Sequence, residues 1–90
     1  MESQHIAPSA ALKFWKSESE AVWLYQRFAE LETNPSLADL YRRLADTEVS
    51  HVAFWEAKVA AAGGKVPEFK PGASVRLKAW LARRLGPAAM

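Results

Sequence analysis

Two long runs of apolar residues at three- and four-residue spacing, interrupted only by Asn34-Pro35, confine this chain to a helical hairpin. The first run passes through Phe14, Val22, Tyr25 and Ala29 to about Leu31, with Ser9 as its expected N-cap. Asn34 is a favoured N-cap and Pro35 suits a first helical position, so the chain restarts at once. Leu37, Leu40, Tyr41, Leu44, Val52, Trp55 and Val59 then carry the second helix to Gly63-Gly64, which closes it. Helices joined by so short a turn lie antiparallel. The expected organisation is a leader over 1–8, a hairpin over 9–62, a connector over 63–73 containing Pro67, Pro71 and Gly72, and a basic segment over 74–90. Within that last segment Leu77, Trp80, Leu81 and Leu85 share one side of a short helix from Ser74 to Leu85, ended by Gly86-Pro87. The predicted fold class is all-α.

The first helix is apolar on more than one side. Phe14, Ala21, Val22, Tyr25 and Ala29 form one stripe, while Trp23, Leu24, Phe28 and Leu31 form another. A hairpin covers one stripe and leaves the other for a second chain or for the third segment, and a partner chain's helix is expected there. Ninety residues bury a modest core alone, which strengthens the expectation of association.

Composition narrows the chemistry. With no cysteine there is no disulfide framework, no thiolate metal ligand and no thiol nucleophile, which suits a reducing compartment. No stretch is apolar enough to span a bilayer, and the start lacks the layout of a signal peptide. A cytoplasmic location is expected, or the cytoplasmic face of a membrane if a longer chain carries this one. Residues 1–62 hold six basic and nine acidic groups, whereas 63–90 hold six basic groups against Glu68 alone. The third helix can therefore cap the bundle, lie on an anionic membrane surface or touch nucleic acid. An acidic body without a recognition motif argues against nucleic acid, and capping is the expected role.

Three polar residues sit where apolar ones are expected. Glu48 points the same way as Tyr41, Leu44, Val52 and Trp55, and His51 flanks it one turn on. Glu18 is surrounded on its own helix by Phe14, Trp15, Ala21, Val22, Tyr25 and Ala29. An ionised carboxylate on such a stripe costs several kcal/mol unless it is paired or metal-bound, and no lysine or arginine shares either face. Glu18 lies about 16 residues before the turn and the Glu48/His51 midpoint about 16 after it, which puts all three at one level, about 24 Å from the turn. One Glu plus one Glu-x-x-His is half of a di-iron carboxylate site, and a two-fold dimer completes it. Four carboxylates, two divalent ions and two neutral histidines sum to zero charge, and the donor set suits Fe(II), with Mn(II) or Zn(II) as substitutes. A bare Glu-x-x-His is weak, arising by chance in about one chain of this composition in six. Its level with a second orphan carboxylate raises it.

Glu18 with Tyr25 seven residues on, followed by Leu-Ala-Asp-Thr-Glu48-Val-Ser-His51, resembles the ferritin-like superfamily, in particular rubrerythrin-type domains. The single hairpin is similar to the half-ferritins, including encapsulated ferritin, which build a four-helix bundle from two chains; the resemblance covers about residues 10–62. It implies a homodimer, or a higher oligomer, with two iron ions at the interface, Glu48 and its symmetry mate bridging them, and Glu18 and His51 as terminal ligands. It further implies ferroxidase chemistry, in which Fe(II) is oxidised by O2 or peroxide for storage, detoxification or transport. The alternative is a non-catalytic module that binds or senses iron and delivers it to a membrane transporter. By the same resemblance Tyr25 is site-adjacent, its hydroxyl bonding a ligand carboxylate, and Glu20 stands where the encapsulated type passes iron inwards. Lys16, one turn back, offers Glu20 a plain ion pair instead. Residues 76–86 resemble the stretch that leads into a vacuolar-iron-transporter-like membrane domain in membrane-bound ferritins, and no encapsulin-targeting tail is recognisable.

Overall fold

A computed structural model describes residues 7–90 as three helices: α1, Pro8–Leu31; α2, Pro35–Ala61; and α3, Ala73–Leu85. A 3-10 turn over Pro87–Ala89 follows, and there is no strand among the described residues. Most of the expected leader, residues 1–6, lies outside them. Ala7 and not Ser9 is the N-cap of α1, and it caps without its side chain. Pro8 explains the earlier start: its fixed φ is already helical and its missing N–H is one that a first turn cannot pair.

The turn between α1 and α2 is closed by side chains. Asn34 Oδ1 accepts from the N–H groups of Ser36 at 2.9 Å and Leu37 at 3.3 Å, while the Glu32 carboxylate accepts from Asn34 N–H at 3.0 Å. At the far end of α2, Gly63 takes a left-handed φ of 83°. Its N–H donates to Ala60 O and that of Gly64 to Val59 O, the paired bonds of a Schellman stop. Gly64 has a second constraint, because a Cβ there would stand 3.1 Å from Val59 Cγ1.

α1 and α2 run antiparallel in one register along their length. Phe14 stacks on Trp55 at 4.7 Å between centroids, Trp15 Nε1 donates to Glu56 Oε2 at 3.1 Å, and Phe28 meets Tyr41 edge to face. Ala11, Ala29, Ala38 and Ala45 are buried between the two backbones, and small residues there allow close approach. The core is correspondingly thin: Val59 is the one large side chain fully withdrawn from solvent among the described residues.

The connector crosses α1 before α3 begins. Phe69 packs edge-on against Trp15, Lys16 Nζ donates to Lys70 O at 2.8 Å, and Glu20 Oε2 accepts from the Gly72 N–H at 2.9 Å. α3 then runs alongside α1, burying Val75 and Ala82. One groove between them is lined by Leu24, Tyr25 and Phe28 with Val75 and Lys78, the other by Trp23, Arg27 and Leu31 with Ala79 and Trp80. The second stripe of α1 is covered by the chain's own α3 and not by the partner helix expected there, and α3 lies along the flank of the hairpin away from α2 instead of capping an end. Its stub of small residues fits between bulky α1 side chains, which an end-on cap would leave uncovered.

Because Asn34 alone supplies the side-chain cap of α2, Asn34→Ala should lower the unfolding free energy by about 1 kcal/mol and Asn34→Gly by a few tenths. Urea unfolding followed by circular dichroism measures both, and equal losses would show that the cap bonds contribute little.

Candidate metal centre

The antiparallel register delivers Glu18 of α1 to Glu48 and His51 of α2. One ligand atom from each of the three lies within 4.8 Å of the others. His51 Nδ1 is 2.9 Å from Glu48 Oε1 and 3.5 Å from Glu18 Oε1. For metal–ligand bonds of about 2.1 Å at angles of 90–110°, adjacent donors stand about 3.0–3.4 Å apart. These two separations bracket that range and the third lies within 4.8 Å, so the group could hold a divalent ion. A hard carboxylate pair with one imidazole suits Fe(II), Mn(II) or Zn(II).

The site is open on one side. The side chains of Glu18 and Glu48 are 29% and 22% exposed and that of His51 is 50% exposed. Partial access to water lowers the penalty that full burial would impose on the two carboxyls. His51 is the one basic group within 4 Å of either carboxyl among the described residues. Lys58, the cation closest in sequence beyond His51, instead sits over the Phe54 ring at 5.2 Å.

Protonation reflects that crowding. The hydrogen bond to Glu48, helped by burial and by the Glu48 charge, raises the pKa of Glu18, with His51 opposing. Glu48 is lowered, first by accepting that bond and then by its bond from His51, with burial opposing. His51 is raised, chiefly by its hydrogen bond to Glu48 and further by the charges of Glu48 and Glu18. A divalent ion bound there would compete with protons for the same donor atoms.

The other two residues singled out by sequence lie elsewhere. Glu20 faces away from the triad; its carboxylate accepts from the Gly72 N–H and lies 3.9 Å from Lys16 Nζ. A Cβ at residue 72 would come within 2.8 Å of that carboxylate, so a larger residue there would push its tip aside. Nothing in the local sequence signals this partnership, which spans 52 positions. Tyr25 borders the groove between α1 and α3, and no hydrogen bond joins it to Glu18, Glu48 or His51 within the chain. Trp15 and Glu56, whose hydrogen bond secures the opposite side of the same level, carry no chemical signature in the sequence.

Around the triad the surface is apolar. Phe14 one turn before Glu18, Leu40 eleven residues before His51 and Phe54 one turn after it are 49%, 46% and 51% exposed. Comparison of the chain with protein-family models, with curated proteins and with solved structures returned no match.

The sign of the pH dependence follows from His51. Its folded pKa exceeds the unfolded value of about 6.5, so its contribution is complete below that pH and disappears as pH rises through the folded value. In metal-free protein the His51 ring resonances should therefore titrate above the ordinary histidine range, and Glu48→Gln should bring the midpoint down. An unchanged midpoint in Glu48→Gln would show that the carboxylate does not hold the imidazolium.

Proposed function

We propose that the chain is a ferritin-like di-iron carboxylate protein that dimerises face to face and oxidises Fe(II) at the shared site. The observation that carries this reading is the meeting of Glu18, Glu48 and His51 at metal-ligand separations, within an apolar face. Three donors per chain leave an ion undersupplied, whereas a two-fold axis through that face supplies four carboxylates and two imidazoles. Closing the face also shields Phe14, Leu40 and Phe54.

In that assembly Glu48 and its mate bridge the ions, and Glu18 and His51 complete each coordination shell. Two Fe(II) ions are the substrate: together they surrender two electrons to O2, which takes up two protons and leaves as hydrogen peroxide. With peroxide as oxidant the same two electrons and two protons yield two waters. Metal and protons compete for the same donor atoms, so iron uptake strengthens as pH rises. The function of the chain is to hold two ions close together beside a position open to the oxidant. A dimer of this size encloses no mineral cavity, so storage of Fe(III) requires a larger assembly or a receiving partner.

The half exposure of His51 favours a second reading, in which the chain captures iron without turnover and passes it to a membrane transporter. Oxygen uptake separates the two, since delivery alone predicts iron binding with no acceleration of oxidation.

Purified protein should bind two Fe(II) per two chains and have the mass of a dimer in solution, about twice 10.0 kDa. Glu48→Ala should reduce Fe(II) oxidation by more than about tenfold and remove the rise in melting temperature that Fe(II) produces. A monomer that binds no metal under the same conditions overturns the proposal.

A further inference from the structure

α3 docks with its small side and displays its large one. Val75, Ala79 and Ala82 face α1, which puts Leu77, Leu81 and Arg84 on the opposite side at about 100° per residue. Leu77 is 56% exposed, Trp80 47% and Leu85 65%. An amphipathic helix packed for core formation alone would turn those residues inward and its arginines outward. Here the apolar ridge itself meets solvent, bordered by Arg76, Arg83 and Arg84, with the Arg84 guanidinium over the Trp80 ring at 4.9 Å.

We infer that this ridge is a peripheral docking surface for an anionic lipid bilayer. Charge complementarity identifies the occupant. Residues 63–90 carry six cations and one anion, while 1–62 carry nine anions and six cations, so a negatively charged surface attracts the α3 edge and repels the hairpin. The orientation follows from the field before any contact forms. Shape agrees: the ridge from Leu77 to Leu85 is about 12 Å of helix edge, with Arg76, Trp80 and Arg83 beside the groove against α1, and a fluid lipid surface accommodates such an edge. Leucine and tryptophan enter the headgroup boundary while the arginine stems extend along them to keep their charges at phosphate level. No helix among the described residues is long and apolar enough to cross a membrane, so the association is at the surface.

The inference is independent of any metal. α3 points away from α2 on the far flank of α1, so a second chain seated on the Glu18/His51 face leaves the ridge free. A dimer then presents two ridges, and its retention on vesicles exceeds that of one.

Co-sedimentation of the full chain tests this with vesicles of phosphatidylcholine alone or with about 30 mol% phosphatidylserine. The expected result is binding to the anionic vesicles only, lost in about 0.5 M salt. Leu77→Ser with Leu85→Ser should weaken it about tenfold or more, and Arg83→Glu with Arg84→Glu should abolish it. Arg42→Glu with Arg43→Glu, the same charge change on exposed α2 positions, should leave binding within about twofold. The emission of Trp80, isolated as the difference from Trp80→Phe, should shift to the blue on anionic vesicles, and circular dichroism confirms that each variant is folded. The inference is overturned if the chain ignores anionic vesicles or if the Arg42/Arg43 pair matters as much as Arg83/Arg84. It is equally overturned if the leucine pair has no effect, or if that pair instead removes a concentration-dependent self-association, which would make a second copy the occupant.

Discussion

A two-residue error in the register between α1 and α2 would dismantle everything else in this molecule. The turn closed by Glu32 and Asn34 sets that register, and the same offset then pairs Phe28 with Tyr41, Glu18 with His51 and Phe14 with Trp55. Side chains three and four residues apart share a helix face, so one fixed pair at the turn propagates to the far end. The metal-ligand triad is a consequence of that propagation, held about four turns from the loop that determines it.

The hairpin is stabilised by close backbone approach more than by volume. Buried alanines draw the helices together, and the large residues are displaced to the outside, where one group surrounds the triad and another forms the outer ridge of α3. A chain this size cannot enclose all of its aromatic and aliphatic residues, and the surplus is arranged on two separate surfaces. The two differ in character: the face around the triad mixes apolar residues with acidic groups, whereas the α3 ridge is bordered by arginines. Such a division gives one small chain two chemically distinct surfaces, one carrying a Glu-Glu-His group that could hold a cation, the other a ridge edged by arginines.

Much of the site was legible in residue order. Glu48 and His51 belong to one helix at three-residue spacing, and Glu18 joins them once the Asn34-Pro35 turn makes the helices antiparallel. The capping of α2 and the stop at Gly63-Gly64 are equally local, depending on side chains and φ values within one turn. Glu20 was legible only in part: its ion pair with Lys16 follows from the four-residue spacing, but its hydrogen bond does not. Its partner is a backbone N–H 52 residues away, and its neighbour Lys16 divides itself between that carboxylate and the Lys70 carbonyl. The protonation of the triad is also invisible in the sequence, because it depends on how closely two carboxyls approach and not on what they are.

What the sequence determined by itself is therefore helix extent, the antiparallel hairpin and the level at which three donors meet, since each follows from periodicity, capping and rise per residue. Tertiary structure alone decided where α3 goes and which of its sides faces out. The short helix has leucines and tryptophan on one side and small residues on another, so periodicity nominates the bulky side for burial. The stripe of α1 that receives it is already filled by Trp23, Leu24, Phe28 and Leu31, and the side chains of α3 buried against it are the small ones, Val75 and Ala82. Steric fit overrode hydrophobic preference, and that choice left the α3 ridge in solvent.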